Sequence, residues 1–212
     1  MTKHRKAMVG RAGLFGAVAS LLLSGGAASA EEFFKFEGGK LQRPTGYREW
    51  VYVGTPLTPN DMNDGKAGFP EFHSVYIDPA SWAHWKKTGE FREGAILMKE
   101  MITVGSKSAA SGDGYFMGDF HGLEATIKSK KLFTKEPGNW AYFTFTTADH
   151  QTLEKSAAPE PASVCNSCHA KIAADDWVFT QYYPVLGGAK GKGEEGTGGK
   201  QDKLEHLSMP AR

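Results

Sequence analysis

The two cysteines of this chain stand three positions apart, in Cys165-Asn166-Ser167-Cys168-His169, and no other cysteine exists to pair with either. A C-x-x-C-H run suits covalent capture of a haem. Each thiol can add to one vinyl group, and the adjacent histidine is then placed to ligate the iron from one face. The competing reading is a thioredoxin-like redox pair, which calls for a βαβ setting upstream, and none is found. With no second such motif, the expectation is a single covalently bound c-type haem. The motif also constrains the fold: a helix from about Ser163 to Asp175 should hold Cys168 and His169 beside one porphyrin edge.

The amino end reads as an export signal. Lys3, Arg5, Lys6 and Arg11 make a basic start, Leu14 to Leu23 is a short apolar run, and Ala28-Ser29-Ala30 is an A-x-A cleavage site. Residues 1–30 are therefore expected to be a cleaved signal peptide, with the mature chain beginning at Glu31. The apolar run is too short to span a bilayer, and no later stretch offers a membrane span. In a Gram-negative bacterium the destination is the periplasm, where c-type haem is attached. Removing the segment leaves 21 basic residues against 24 acidic ones, a net of −3. That balance, with no basic stripe, excludes a nucleic-acid partner by charge.

Residues 31–186 are expected to form one haem domain, and 187–212, rich in Gly, Lys and Glu, a flexible tail that buries too little to offset its ordering entropy. Within the tail, His206 and Met209 are weak candidates for visiting a metal. The body reads mainly as strands: Trp50 to Val53, Phe72 to Ile77, Ala95 to Val104, His121 to Lys128 and Trp140 to Thr146. Gly-rich breaks between Gly105 and Gly114, and Pro137-Gly138, favour antiparallel pairing over βαβ crossovers. One helix begins at Asp78-Pro79, with Asp78 as cap and Pro79 at the first helical position. It carries Trp82 and Trp85 on one face and ends at Gly89 after Lys86 and Lys87. The predicted class is α+β, a mainly antiparallel β-sheet with a few helices in a single domain, the haem motif on a C-terminal helix.

A small electron-transfer cytochrome would need a second iron ligand. Met62, Met98, Met101, Met117, His73, His84, His121 and His150 are the candidates, and spacing selects none. Such carriers are commonly helical with the motif near the amino end. A carboxy-terminal motif behind a β-rich body favours a gas-binding or catalytic haem instead.

Several blocks resemble the cytochrome P-460 family: Tyr47-Arg48-Glu49-Trp50-Val51-Tyr52-Val53-Gly54-Thr55, Val75-Tyr76-Ile77-Asp78-Pro79, Trp85-Lys86-Lys87-Thr88-Gly89, and Phe91-Arg92-Glu93-Gly94-Ala95 running on to Lys99-Glu100. Gly114-Tyr115-Phe116-Met117-Gly118-Asp119, Gly122-Leu123-Glu124-Ala125, Glu136-Pro137-Gly138-Asn139-Trp140, the haem motif and Val178-Phe179-Thr180-Gln181-Tyr182-Tyr183-Pro184 continue the match, from about residue 45 to 186. The match looks close to the hydroxylamine-oxidising members. The resemblance implies a homodimer with one haem c per subunit, a lysine bonded to a porphyrin meso carbon, and five-coordinate iron. It further implies hydroxylamine oxidation with nitric oxide chemistry and nitrous oxide as product, and electrons passed to a soluble cytochrome.

By position, the resemblance makes Cys165, Cys168 and Lys99 the haem-binding residues, His169 the iron ligand and Glu124 the catalytic carboxylate. Leu97, Lys99 and Met101 alternate along one strand face, where a lysine is more often a snorkelling edge residue. A buried amine is readily neutral and nucleophilic. For Glu124 the alternative is an exposed strand carboxylate; an apolar pocket would raise its pKa and suit it to general-base work. The family pattern has arginine where this chain has His73, which would make that position's charge pH-dependent. His121 is adjacent to the Glu124 segment but falls on the opposite strand face and is read as structural. The competing function on the same fold is a nitric-oxide-binding protein of the cytochrome c′-beta kind, without the lysine cross-link.

Overall fold

The computed structural model describes residues 33–193; the signal peptide, the Glu31 start, His206 and Met209 lie outside the described residues. Its centre is a five-stranded antiparallel sheet of β3 (Val51–Gly54), β4 (Phe72–Ile77), β5 (Ile96–Val104), β8 (Met117–Lys128) and β9 (Trp140–Thr144), in the order β3-β4-β5-β8-β9. Strand β2 (Lys40–Gln42) pairs with β1 (Phe36–Glu37) on one side and β10 (Ser156–Ala157) on the other in a small second sheet. The Gly-rich stretch after β5 is a short arm, β6 (Ser108–Ala109) against β7 (Gly112–Asp113). The α+β, single-domain class is as the sequence implies.

Helix α1 (Pro79–Thr88) follows its sequence signals. Asp78 Oδ1 accepts from Ser81 N at 2.8 Å, Pro79 occupies the first turn, and Gly89 closes the helix at φ +74°. Asp78 is fully buried because three groups satisfy it. Arg92 also donates to Oδ1 at 3.0 Å, and Ile96 N donates to Oδ2 at 3.1 Å, which joins the helix start to β5.

Register divides the sheet into two faces, because residues opposite one another in adjacent strands share a side. Met98, Ala125 and Phe143 lie in one such row, and with Ile96, Leu123 and Ile127 they form a core closed by Phe34, Leu41 and Tyr47. On the other side Ile77, Leu97 and Tyr142 pack with Trp85 of α1, Phe91, Val178, Tyr183 and Leu186. The chain from Cys165 onward closes this second face and carries the haem motif.

Two expectations change here. The motif helix, expected over Ser163 to Asp175, is shorter: α2 spans Asn166–Ile172, and Ala173 leaves it in an extended conformation. The side-chain amide of Gln181 replaces a further turn, donating to Ile172 O at 2.9 Å and accepting from Ala174 N at 3.1 Å. The loose tail does not begin at Gly187. Helix α3 (Pro184–Ala189) buries Leu186 and Ala189 completely; Trp85 Nε1 donates to Leu186 O at 2.8 Å, and Gly191 N to Trp85 O at 3.2 Å. Gly187, Gly188 and Ala189, expected in the tail, belong to this helix, and Ala189 is an anchor that composition concealed.

Candidate haem site

Lys99 and Glu124 are directly opposite in the β5–β8 register, on the same face as Val75 and Thr144. Their side chains form an ion pair, Nζ to Oε2 at 2.5 Å, and both are about one quarter exposed (25% and 26%). The pocket expected around Glu124 is therefore not purely apolar, because a cation is already at the carboxylate. The exposed ring of Phe69 covers the amine, its centroid 5.3 Å from Nζ.

Two residues along, His73, Met101 and Gly122 form the next row of this face. The sulfur-side methyl of Met101 fills the space over Gly122, where a Cβ would stand 2.5 Å from it. The His73 ring meets Phe69 edge-on, and its Nε2 is buried without a partner. Burial, reinforced by the Lys99 charge, pushes its pKa down to about 4. The pH-dependent charge expected at this position is thus moved well below neutrality.

Helix α2 brings the motif to the same face. Asn166 anchors it to the sheet, its Nδ2 donating to Trp140 O at 3.3 Å. Cys165 is half-buried and Cys168 exposed, and both thiols are free. Burial first, then the Glu124 charge, pushes the Cys165 thiol up to about 11. His169 lies between the rings of Tyr142 and Phe179, at centroid distances of 4.5 and 4.3 Å. Its Nδ1 is 2.8 Å from the carbonyl of Trp177. A carbonyl only accepts, so Nδ1 carries the proton and Nε2 the lone pair. Burial lowers the His169 pKa against the raising effect of that hydrogen bond, which favours the neutral, metal-ligating form. Lys99 and Glu124 are near enough for their charges to act on both Cys165 and His169.

These residues fit a haem held from one side. Two free thiols sit one helical turn apart, and an imidazole beside them is fixed in the tautomer a metal requires. Exposed apolar side chains, Val164, Ile172 and Tyr182, surround the motif. The other sequence candidates for iron ligands separate by position. Met98 is fully buried in the opposite core, while Met62 and Met117 are exposed on peripheral segments. His121 occupies a bulge in β8, between Phe120 and Gly122, which face Ile102 and Met101. Its ring stacks on His150 at 4.3 Å, and Nε2 is 3.5 Å from Glu71, so it serves the loop structure and not Glu124.

Sequence reasoning missed the contributions of Tyr142, Trp177 and Gln181. A backbone carbonyl as partner to His169 leaves no residue-type signal, and Gln181 acts through atoms any amide carries.

Residues 44–180 match the family model described as Cytochrome P460. No curated protein matches the chain.

Proposed function

The chain belongs to the cytochrome P-460 family of haem c cytochromes, and from that premise we propose that it is a periplasmic enzyme oxidising hydroxylamine, with nitric oxide chemistry, to nitrous oxide. Cys165 and Cys168 hold the haem through thioethers, His169 ligates its iron, and Lys99 bonds to the porphyrin. When bound, the haem supplies an open iron face for the substrate and takes up its electrons. A soluble cytochrome c accepts those electrons, and the working unit is a homodimer.

The observation that carries this reading is the Lys99–Glu124 pair, in register on the face that also bears Cys165 and His169. Oε2 of Glu124 is 2.5 Å from Lys99 Nζ, placed to take a proton from the amine that would hold the porphyrin. Hydroxylamine gives up protons with its electrons, and the same carboxylate is the general base for them. A nitric-oxide-binding protein needs neither group.

The ferrous absorption spectrum tests the cross-link. A Soret band well to the red of ordinary haem c is expected, moving back to the ordinary position in Lys99→Leu. A spectrum of ordinary haem c in the parent, unchanged in the variant, overturns the cross-link. Hydroxylamine-dependent reduction of a soluble cytochrome tests the activity; its absence leaves a haem protein of the binding kind.

A further inference from the structure

The most strained backbone near the site is the turn that partners His169. Asp175 and Val178 bridge each other, Val178 N donating to Asp175 O at 2.7 Å, so Asp176 and Trp177 form a two-residue hairpin tip. Both have positive φ, +43° and +61°. Such tips ordinarily use Asn-Gly or Asp-Gly, and a tryptophan at positive φ is an outlier that needs a cause.

The surroundings supply one. The Trp177 indole lies against Gly138, itself at φ +62°, where a Cβ would come within 2.4 Å of the ring. An ion pair from Lys128 to Asp176 holds the other half of the tip. Fixed this way, the Trp177 carbonyl accepts from two donors: His169 Nδ1 at 2.8 Å and the Tyr142 hydroxyl at 3.2 Å. Tyr142 also supplies the ring that packs on His169.

We propose that the Asp176–Trp177 turn is a fixed acceptor for the proximal imidazole, with Gly138 and Tyr142 as its positioning residues. Gly138 leaves the room in which the indole seats the carbonyl. Tyr142 takes part of that carbonyl's accepting capacity and so moderates the bond to Nδ1–H. A stronger bond there makes the imidazole a more basic ligand and favours the oxidised metal; a weaker bond does the reverse. This inference rests on the reading that His169 ligates the iron.

The two residues therefore act with opposite sign, which a merely structural role does not predict. In the ferrous holoprotein, Tyr142→Phe should raise the iron–histidine stretching frequency in resonance Raman spectra and lower the reduction potential. Gly138→Ala, which forces the indole out, should lower the frequency and raise the potential. Unshifted variants, or shifts of the same sign, overturn the proposal. If Gly138→Ala does not fold, Tyr142→Phe decides alone, since it retains the ring. A parent lacking an iron–histidine band that depends on His169 overturns the ligand reading and the inference together. A parent with that band and an unshifted Tyr142→Phe overturns only the inference.

Discussion

Lys99 and Glu124 are cross-strand partners, opposite in register and joined through Nζ and Oε2 at 2.5 Å. The next residue along the strand, Glu100, points to the other side and is 3% exposed in the opposite core. Adjacent residues of β5 thus belong to different problems, one to chemistry and the other to stability.

The partly buried Lys99–Glu124 pair predicts a separation of activity from folding. Glu124→Gln keeps the volume and removes the proton acceptor. Because the pair is partly solvated, its loss should change unfolding free energy by no more than about 1 kcal/mol. General-base catalysis contributes roughly 10²–10⁴-fold, so hydroxylamine turnover should fall by about that factor. Urea unfolding and steady-state reduction of a soluble cytochrome, on the same sample, measure the two. Turnover equal to the parent removes Glu124 from the reaction.

The buried half predicts the reverse. The Tyr47 hydroxyl donates to Glu100 Oε1 at 2.5 Å, and Arg48 forms an ion pair with the same carboxylate. Tyr47→Phe leaves a buried charged acceptor one donor short, at a cost of about 1–3 kcal/mol. Hydroxylamine turnover should stay at the parent value, since the network lies behind the sheet. Equilibrium unfolding of Tyr47→Phe beside the parent checks this.

The same strand shows what was legible in the sequence. Asp78-Pro79 and Gly89 bounded α1 correctly because capping is local chemistry, and Phe72 to Ile77 was a strand because its pattern is local too. The pairing of Lys99 with Glu124 is not local. It depends on register across β5 and β8, and the bulge at His121 offsets the two strands by a residue. Family resemblance named both residues, but only pairing shows that their side chains meet. The Asp176–Trp177 turn could not be read at all, since its sequence contradicts the turn rule and the packing that overrides it comes from Gly138, far along the chain.

Helix α3 is the clearest case of composition misleading, and it carries a prediction. Leu186 is fully buried against the site face, and its carbonyl accepts from Trp85 Nε1. Leu186→Ala should cost about 2–5 kcal/mol, the range for truncating a buried leucine. A change near zero would mean that α3 does not pack on the site face. Thermal or urea unfolding distinguishes the two, and proteolysis should release the segment beyond Tyr183 sooner in the variant.

His73 makes a prediction about pH. Its folded pKa is pushed down to about 4 from an unfolded value of 6.5, by burial first and by the Lys99 charge second. Between those values the unfolded chain binds the proton and the folded chain does not. The contribution is present in full above about pH 6.5 and is lost as pH falls toward 4. A shift of this size corresponds to roughly 3 kcal/mol at most. His73→Gln cannot titrate, so its stability should fall less over that interval than the parent's. Unfolding midpoints measured in urea at several pH values from 7 to 4 give the two slopes. Burial is the larger cause, so most of the difference should persist in protein whose Lys99 is bonded to the porphyrin. Parallel curves would mean that the His73 ring gains a partner for Nε2 in solution.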